Sequence, residues 1–450
     1  MAQMVLKFFR ALYVNTQMSK LMTLDGRVIF GFIIFFLVLF LIDLYVFRGV
    51  KTIFSSSSFP VRRIAAWIYW LVNITFSLCA IYIILSVTYF GHTTHVRHTP
   101  FLVSFAIAAF LLLYIPKLIF GSFLLLEDVY RLLRALGIGV YKLASHSNTP
   151  LDFFQSRRKF VSQFATVIAG IPFISIIYGV TKGKYNFKIH KVEVAFEGLP
   201  KEFDGLKITQ ISDIHSGSFD NPEPVKHAVK LVNDQGSDII FFTGDLVNSI
   251  ADEMDPWVDV FKELKAPMGV YSIFGNHDYG DYVRWYNTDQ KKANLDKLVN
   301  VHKELGFRLM RNENLKLEKN GATIDLIGVE NWGRGGFSKY GDLDKALVGT
   351  TTGSFKILLS HDPSHWEEKV MNHPEENIHL TFAGHTHGMQ FGIEVPGIKF
   401  SPVQFRYKRW AGLYEENNRY LYVNRGLGFI GFPGRVGIWP EITVVTLKSA

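Results

Sequence analysis

Six short motifs rich in carboxylate, amide and imidazole side chains follow one another through the last 240 or so residues of this 450-residue chain. In order they are Asp213-x-His215, Gly244-Asp245, Gly275-Asn276-His277-Asp278, Ser360-His361-Asp362 and Gly384-His385-x-His387, with a glycine-rich tail over 426–441 as the sixth. Hard oxygens mixed with imidazole nitrogens suit first-row divalent metals and magnesium. Two such ions about 3.5–4 Å apart can clamp the attacking and leaving oxygens of a phosphoryl transfer. Any one of these residues alone reads as a capping or hydrogen-bonded polar group. The ordered set reads as a site for metal-assisted phosphate ester hydrolysis.

Something must bring ligands 170 positions apart into one place. Apolar, β-rich runs at 206–211, 239–242, 270–274, 324–329, 355–359, 379–382, 420–423 and 442–447 predict strands, with helices at 224–232 and 291–304 between some of them. Five of these strands end one to three residues before Asp213, Asp245, Asn276, His361 or His385. In open α/β sheets the active crevice lies beyond the carboxyl ends of the strands, where such loops converge. Glycines 244, 275, 384 and 388 permit the tight turns this crowding needs.

The first 182 residues have a different character. They hold 17 Lys/Arg against 5 Asp/Glu, whereas the rest holds 31 against 35, so the formal charge of +8 belongs to the N-terminal part. Four apolar stretches, 28–47, 64–90, 101–126 and 160–180, are long enough to cross a bilayer core of about 30 Å. The expected organisation is a tail over 1–27, a transmembrane region over 28–182 and an α/β domain over 183–450. With the charge concentrated beside apolar spans and a mildly acidic chemical half, nucleic acid is excluded as a partner. The single cysteine, Cys79, excludes an intrachain disulfide.

Loop charge sets an orientation. Loops 48–63 and 127–159 carry four and six basic residues, and loop 91–100 carries only Arg97. The positive-inside bias places the first and third loops in the cytoplasm and the chemical half outside it, although Lys7, Arg10, Lys20 and Arg27 of the tail oppose this. Ser156-Arg157-Arg158-Lys159-Phe160-Val161, directly before the fourth span, is similar to the twin-arginine export signal S-R-R-x-F-L, which makes the twin-arginine translocase an expected partner. Asp43 and Lys117 lie at membrane depth and are expected as a structural pair or as snorkelling side chains. His92, His95 and His98 share a short loop without a fourth ligand and read as solvated.

The ordered motifs resemble the calcineurin-like metallophosphoesterase superfamily over roughly residues 190–450. That resemblance implies an αββα sandwich of two mixed sheets behind the transmembrane helices. It implies that Asp213, His215 and His387 bind a first metal and that Asn276, His361 and His385 bind a second, with Asp245 bridging. The ions would be Mn, Fe, Zn or Mg, and a bridging hydroxide would attack phosphorus in line. His277 would be the non-ligand imidazole that stabilises the transition state and could protonate the leaving oxygen, with Asp278 orienting it. The family's Ser/Thr phosphatases continue the second motif as G-D-x-x-D-R-G, whereas this chain reads Gly244-Asp245-Leu246-Val247-Asn248. The tail through Arg435 and Glu441 looks instead like the membrane-anchored bacterial branch, with its twin-arginine-exported phosphoesterases and UDP-diacylglucosamine pyrophosphatase. Met389 departs from that branch, which places a second glycine after the last metal histidine.

Four spans exceed what a tether needs, so a phosphorylated lipid or lipid-linked substrate at the bilayer is expected. The segment 400–410, with Phe405, Arg406, Tyr407, Lys408, Arg409 and Trp410, offers an interfacial lip. The expected location is the bacterial inner membrane with an extracytoplasmic catalytic domain. The alternatives are a cytoplasmic-face pyrophosphatase, a non-catalytic metal-binding scaffold, and a transporter or sensor carrying this domain. His227, His302, His365, His373 and His379 match no motif and read as structural or exposed. Gly426-x-Gly428-x-x-Gly431 fits a dinucleotide fingerprint, but Pro433 and Gly434 stand where a helix should open, which excludes that reading.

Overall fold

The computed structural model describes residues 26–90, 99–145, 155–373 and 377–450. They form two compact units divided between Ile174 and Ser175. Within the first, α1 (Gly26–Ile53), α2 (Phe59–Phe90) and α3 (Thr99–Ser145) are followed by α4 (Gln155–Thr181), whose last residues belong to the second unit. All four contain a stretch long and apolar enough to cross a membrane. Large side chains such as Trp67, Leu71, Leu126 and Phe160 are exposed along them, as lipid-facing positions require. The helix α3 runs for 47 residues, through Pro116 and well beyond the apolar stretch that marks it in the sequence. The histidines at 92, 95 and 98 and the basic residues of the tail before Gly26 lie outside the described residues.

Asp43 and Lys117 meet inside the helical unit. Lys117 Nζ is 2.7 Å from Asp43 Oδ1, and it also bonds Asn73 Oδ1. Tyr114 donates to Asp43 Oδ2 at 3.2 Å, and Tyr69 donates to the Asp43 carbonyl at 2.8 Å. The pair is therefore structural and joins α1, α2 and α3, because an unpaired charge at that depth would be costly. Arg157 and Arg158, the arginines of the export-like motif, pair with Glu127 and Asp128 of α3 at 3.2 and 3.4 Å.

The second unit is a four-layer sandwich. One six-stranded sheet has the order β1-β14-β2-β3-β4-β5, from β1 (Lys188–Phe196), β14 (Glu441–Ser449), β2 (Lys207–Ile211), β3 (Ile239–Phe242), β4 (Val270–Ser272) and β5 (Phe307–Leu309). The other has the order β12-β13-β9-β8-β7-β6, from β12 (Gly412–Glu416), β13 (Arg419–Val423), β9 (Leu380–Ala383), β8 (Lys356–Leu359), β7 (Ala322–Gly328) and β6 (Glu313–Lys319). A separate hairpin joins β10 (Ile393–Val395) to β11 (Ile398–Phe400). Both sheets mix parallel and antiparallel pairs.

The alternation of side chains along a strand explains the layering. In β3, Ile239 and Phe241 enter the core between the sheets, and Ile240 and Phe242 enter the core beneath the helices. In β8, Ile357 and Leu359 face the intersheet core and Leu358 the outer one. Strands covered on both faces read as unbroken apolar runs, which is why these two stand out in the sequence. The helices α5 (Pro222–Asn233) and α6 (Thr288–Glu304) cover the first sheet, each started by an Asn cap, Asn221 and Asn287.

Candidate metal centre

The five strand-to-loop motifs converge at the carboxyl ends of β2, β3, β4, β8 and β9. Two groups of ligand-type side chains result, Asp213 with His215 and His387, and Asp245 with His361 and His385; the donor atoms within each group lie within 4.8 Å of one another. Asn276 joins the second group, its Oδ1 2.8 Å from His385 Nδ1. Asp245 stands between the groups, with Oδ2 3.5 Å from His215 Nε2 and 3.1 Å from His361 Nε2. His215 Nε2 and His387 Nε2 face each other at 3.0 Å, and His387 Nε2 is 3.2 Å from Asp213 Oδ1. All seven predicted ligands are thus brought together.

Backbone geometry makes this crowding possible. Asp213, His215, Asp245, His385 and His387 all have positive φ, between 47° and 71°. That region is unfavourable for any residue but glycine, and such strain gathers at functional sites. Gly384 leaves the room: a side chain there would collide with Ser212 and Asp213. The Met389 departure has its explanation in the same turn, since Met389 has φ 55°, a conformation that a glycine adopts freely.

The site is built to hold cations. His361 Nδ1 faces the carbonyl of Thr243 at 2.7 Å, which leaves Nε2 pointing at Asp245 with no hydrogen-bond partner among the described residues. A buried imidazole nitrogen turned toward a carboxylate in this way suits a cation. Burial works against charge on His361, but the Asp245 carboxylate outweighs it and pushes the imidazole up to about 10. Burial likewise opposes charge on Asp245, and the His361 and His277 imidazoles hold it well below the ordinary carboxylate range. The residues present fit divalent metal ions, which would replace the proton on His361.

Around the ligands lies a set of supports. His385 Nε2 is 2.9 Å from Tyr407 Oη and 3.3 Å from Asp362 Oδ2, and Tyr407 also donates to Asp362. Arg435, fully buried, donates to the carbonyls of Gly428, Arg425 and Gly426, and its guanidinium reaches His387 Nδ1 at 3.2 Å. Glu441 bonds Arg425 at 2.5 Å and Tyr422 at 2.7 Å. The glycine-rich tail is therefore a wall of the metal centre.

Two expectations need correction. Asp278 does not orient His277: its carboxylate accepts from the backbone N–H groups of Asp245, Leu246 and Gly275 at 2.9, 2.8 and 2.8 Å. It pins two motif loops together, and the carbonyl of Asn248, 2.6 Å from Nδ1, holds the His277 imidazole. The second concerns the lip. Tyr407 and Trp410 are 9% and 4% exposed and point inward, drawn by the His385–Asp362 pair and an apolar cluster with Val403 and Ile438. Phe405, 83% exposed, stays outside. Sequence reasoning missed Asn248, Tyr282, Tyr407 and Arg435 as site residues. Only Arg435 had a signal, as part of the tail motif.

Known families and proteins resemble this chain. Residues 26–184 match the family described as probable calcineurin-like phosphoesterase, transmembrane domain, and residues 206–389 match calcineurin-like phosphoesterase. The uncharacterized metallophosphoesterase YkuE of Bacillus subtilis is 30% identical over 305 residues, covering 65% of this chain and 98% of that protein. The transmembrane protein with metallophosphoesterase domain of Danio rerio is 29% identical over 287 residues, covering 62% of each chain, so this chain spans less than two thirds of that relative. A crystal structure of the phosphopantetheinyl hydrolase PptH from Mycobacterium tuberculosis aligns over 49% of this chain and 88% of its own, at 14% identity and a TM-score of 0.30. With its motifs assembled at the sheet ends and four apolar helices ahead of them, the chain belongs to the calcineurin-like metallophosphoesterases, as a membrane protein that carries the family's four-helix transmembrane domain.

Proposed function

We propose that this metallophosphoesterase hydrolyses a phosphate ester of a lipid or lipid-linked substrate at the surface of the membrane that its helices enter. The supporting observation is the pairing, on one chain, of four apolar helices with two ligand groups that share Asp245. Asp213, His215 and His387 would hold one cation and Asn276, His361 and His385 another, with Asp245 reaching both; Mn, Fe, Zn and Mg all suit the donor set. When bound, such ions supply an acidified water and positive charge for the phosphoryl oxygens.

The chain's own residues do the rest. The Asn248 carbonyl accepts from His277 Nδ1–H, so Nε2 is the atom left to give a proton to the leaving oxygen. Asp278 keeps the Asp245 and Gly275 loops in register, and through the His277 backbone N–H, which donates to Asp245 Oδ1 at 2.8 Å, the acid and the ligand are placed as one unit.

Sidedness belongs to the same proposal. The basic loops 48–63 and 127–159 support a cytoplasmic position for those loops in a bacterial inner membrane, with the catalytic domain outside and the twin-arginine route delivering it.

The test of the substrate is direct. Full-length protein is incubated with total lipid extract and Mn²⁺, and products are read by mass spectrometry. A lipid that loses a phosphoryl group with wild type, and not with Asp245→Asn, supports the reading. Asp245→Asn is expected to lose at least one metal by elemental analysis; full metal content with a near-normal rate on an aryl phosphate would remove Asp245 from its role. Turnover confined to soluble phosphoesters would overturn the lipid assignment.

A further inference from the structure

The loop after the Asn276–Asp278 turn carries a phenol that no motif predicts. Tyr282 Oη accepts from Asn276 Nδ2 at 2.9 Å, and its ring lies 4.6 Å from the His277 ring, centre to centre. Asn276 turns Oδ1 toward His385 and the second ligand group, which fixes its amide so that Nδ2 is the atom facing Tyr282. Because the amide nitrogen only donates, the phenol oxygen is the acceptor in that bond, and its own hydrogen is directed elsewhere. Tyr282 is 52% exposed, and among the described residues its O–H meets no acceptor.

The loop that presents this phenol is anchored. Asp281, immediately before it, holds Lys291 at 2.5 Å and also Ser338. On its other side the Tyr279 phenol oxygen accepts from the Asn331 backbone N–H at 3.1 Å, and its ring stacks on Tyr340 at 4.1 Å between ring centres. An O–H held within a few ångströms of both a ligand amide and the candidate acid is a preorganised donor for charge on a bound phosphoryl group.

We propose that Tyr282 is a catalytic residue that donates its phenolic hydrogen to a non-bridging oxygen of the substrate phosphoryl group, on the side of Asn276. This rests on the phosphoester reading of the site. The alternative is a structural role, in which Tyr282 only props Asn276 and packs against His277.

The experiment compares wild type, Tyr282→Phe and Tyr282→Leu as full-length protein in detergent, loaded with Mn²⁺. Inorganic phosphate binding is followed by calorimetry and metal content by elemental analysis. Tyr282→Phe keeps the ring and removes the donor, so phosphate affinity should fall about tenfold to a hundredfold with metal content unchanged, the usual worth of one hydrogen bond to a charged group. On aryl phosphates its kcat/KM should fall by the same factor for every leaving group, because a non-bridging oxygen is independent of the group expelled. Tyr282→Leu, which also loses the ring, should fall further and acquire a leaving-group dependence as His277 loosens.

Unchanged phosphate affinity in a metal-replete Tyr282→Phe overturns the proposal. So does loss of metal in that variant, which would make Tyr282 a support of Asn276. Since phosphate binding is read without turnover, a wild type that binds phosphate and hydrolyses nothing would count against the hydrolase reading, while the affinity of Tyr282→Phe would still judge this residue.

Discussion

At His277 one backbone carbonyl decides the proton inventory. Because Asn248 accepts from Nδ1, only Nε2 is open to the leaving oxygen, and the proposed mechanism makes this imidazole an acid that binds no metal. His277→Ala should retain both ligand groups' metals and lower kcat by about 10²–10⁴-fold. The loss should be greatest for poor leaving groups; equal loss across a series of aryl phosphates would assign His277 to charge stabilisation instead. Met389 gives a second prediction at this scale. Its left-handed backbone costs about 1–2 kcal/mol, against the roughly 0.5–1 kcal/mol by which glycine favours the unfolded chain. With its side chain 57% exposed, Met389→Gly should raise the thermal midpoint of the full-length protein by about 1–3 °C, read by thermal shift. A fall in that midpoint would mean that the Met389 side chain contributes packing which outweighs the strain.

The elements behind the site carry their own titration. His302 on α6 faces Ser272 of β4 through Nδ1 at 2.9 Å, with Phe242, Phe274 and Phe307 around it, and burial pulls it down to about 3. Burial also lowers His365 and His379 to about 4, with Lys356 adding to the effect at His379. Each stays neutral in the fold while the unfolded chain takes a proton near pH 6.5. The stability they confer is therefore complete above about pH 6.5 and is lost as pH falls toward 4, by up to about 1.4 kcal/mol per pH unit for each histidine. Thermal midpoints measured from pH 7.5 to 4.5 should drop on the acid side, and His302→Gln should flatten that limb. An unchanged slope would show that His302 is not what titrates.

At the scale of the whole molecule, function depends on which side of the membrane the chemistry faces. The protease experiment uses a C-terminal reporter fused to the full chain in bacterial spheroplasts. The catalytic domain is expected to be digested from outside, and Arg157→Lys with Arg158→Lys to stop its appearance there. Protection in intact spheroplasts would reverse the orientation and favour a cytoplasmic-face pyrophosphatase. Normal export of the double variant would retire only the twin-arginine route, leaving the ion pairs of Arg157 with Glu127 and Arg158 with Asp128 as the role of these arginines.

Much of the fold was legible because its signals are local. The spans showed as long apolar stretches despite Asp43 and Lys117, and β3, β8 and β9 as runs buried on both faces. The edge strand β1, exposed at alternate positions and carrying Lys188, Lys191 and Glu193, gave no such run and was missed, as were β5, β6, β10, β11 and β12. The seven candidate ligands were legible because a metal demands particular atoms, and only a few residue types carry them. Which residues support them was not. A carbonyl such as that of Asn248 belongs to every residue alike, and Tyr282, Tyr407 and Arg435 reach the site only through loops whose paths depend on distant contacts. The linear order of side chains thus determined the membrane region, the two-sheet domain and the metal chemistry. Only the tertiary structure decided that Asp278 braces loops rather than an imidazole, because a hydrogen bond depends on the direction in which a carboxylate is turned and not on its neighbours in the chain.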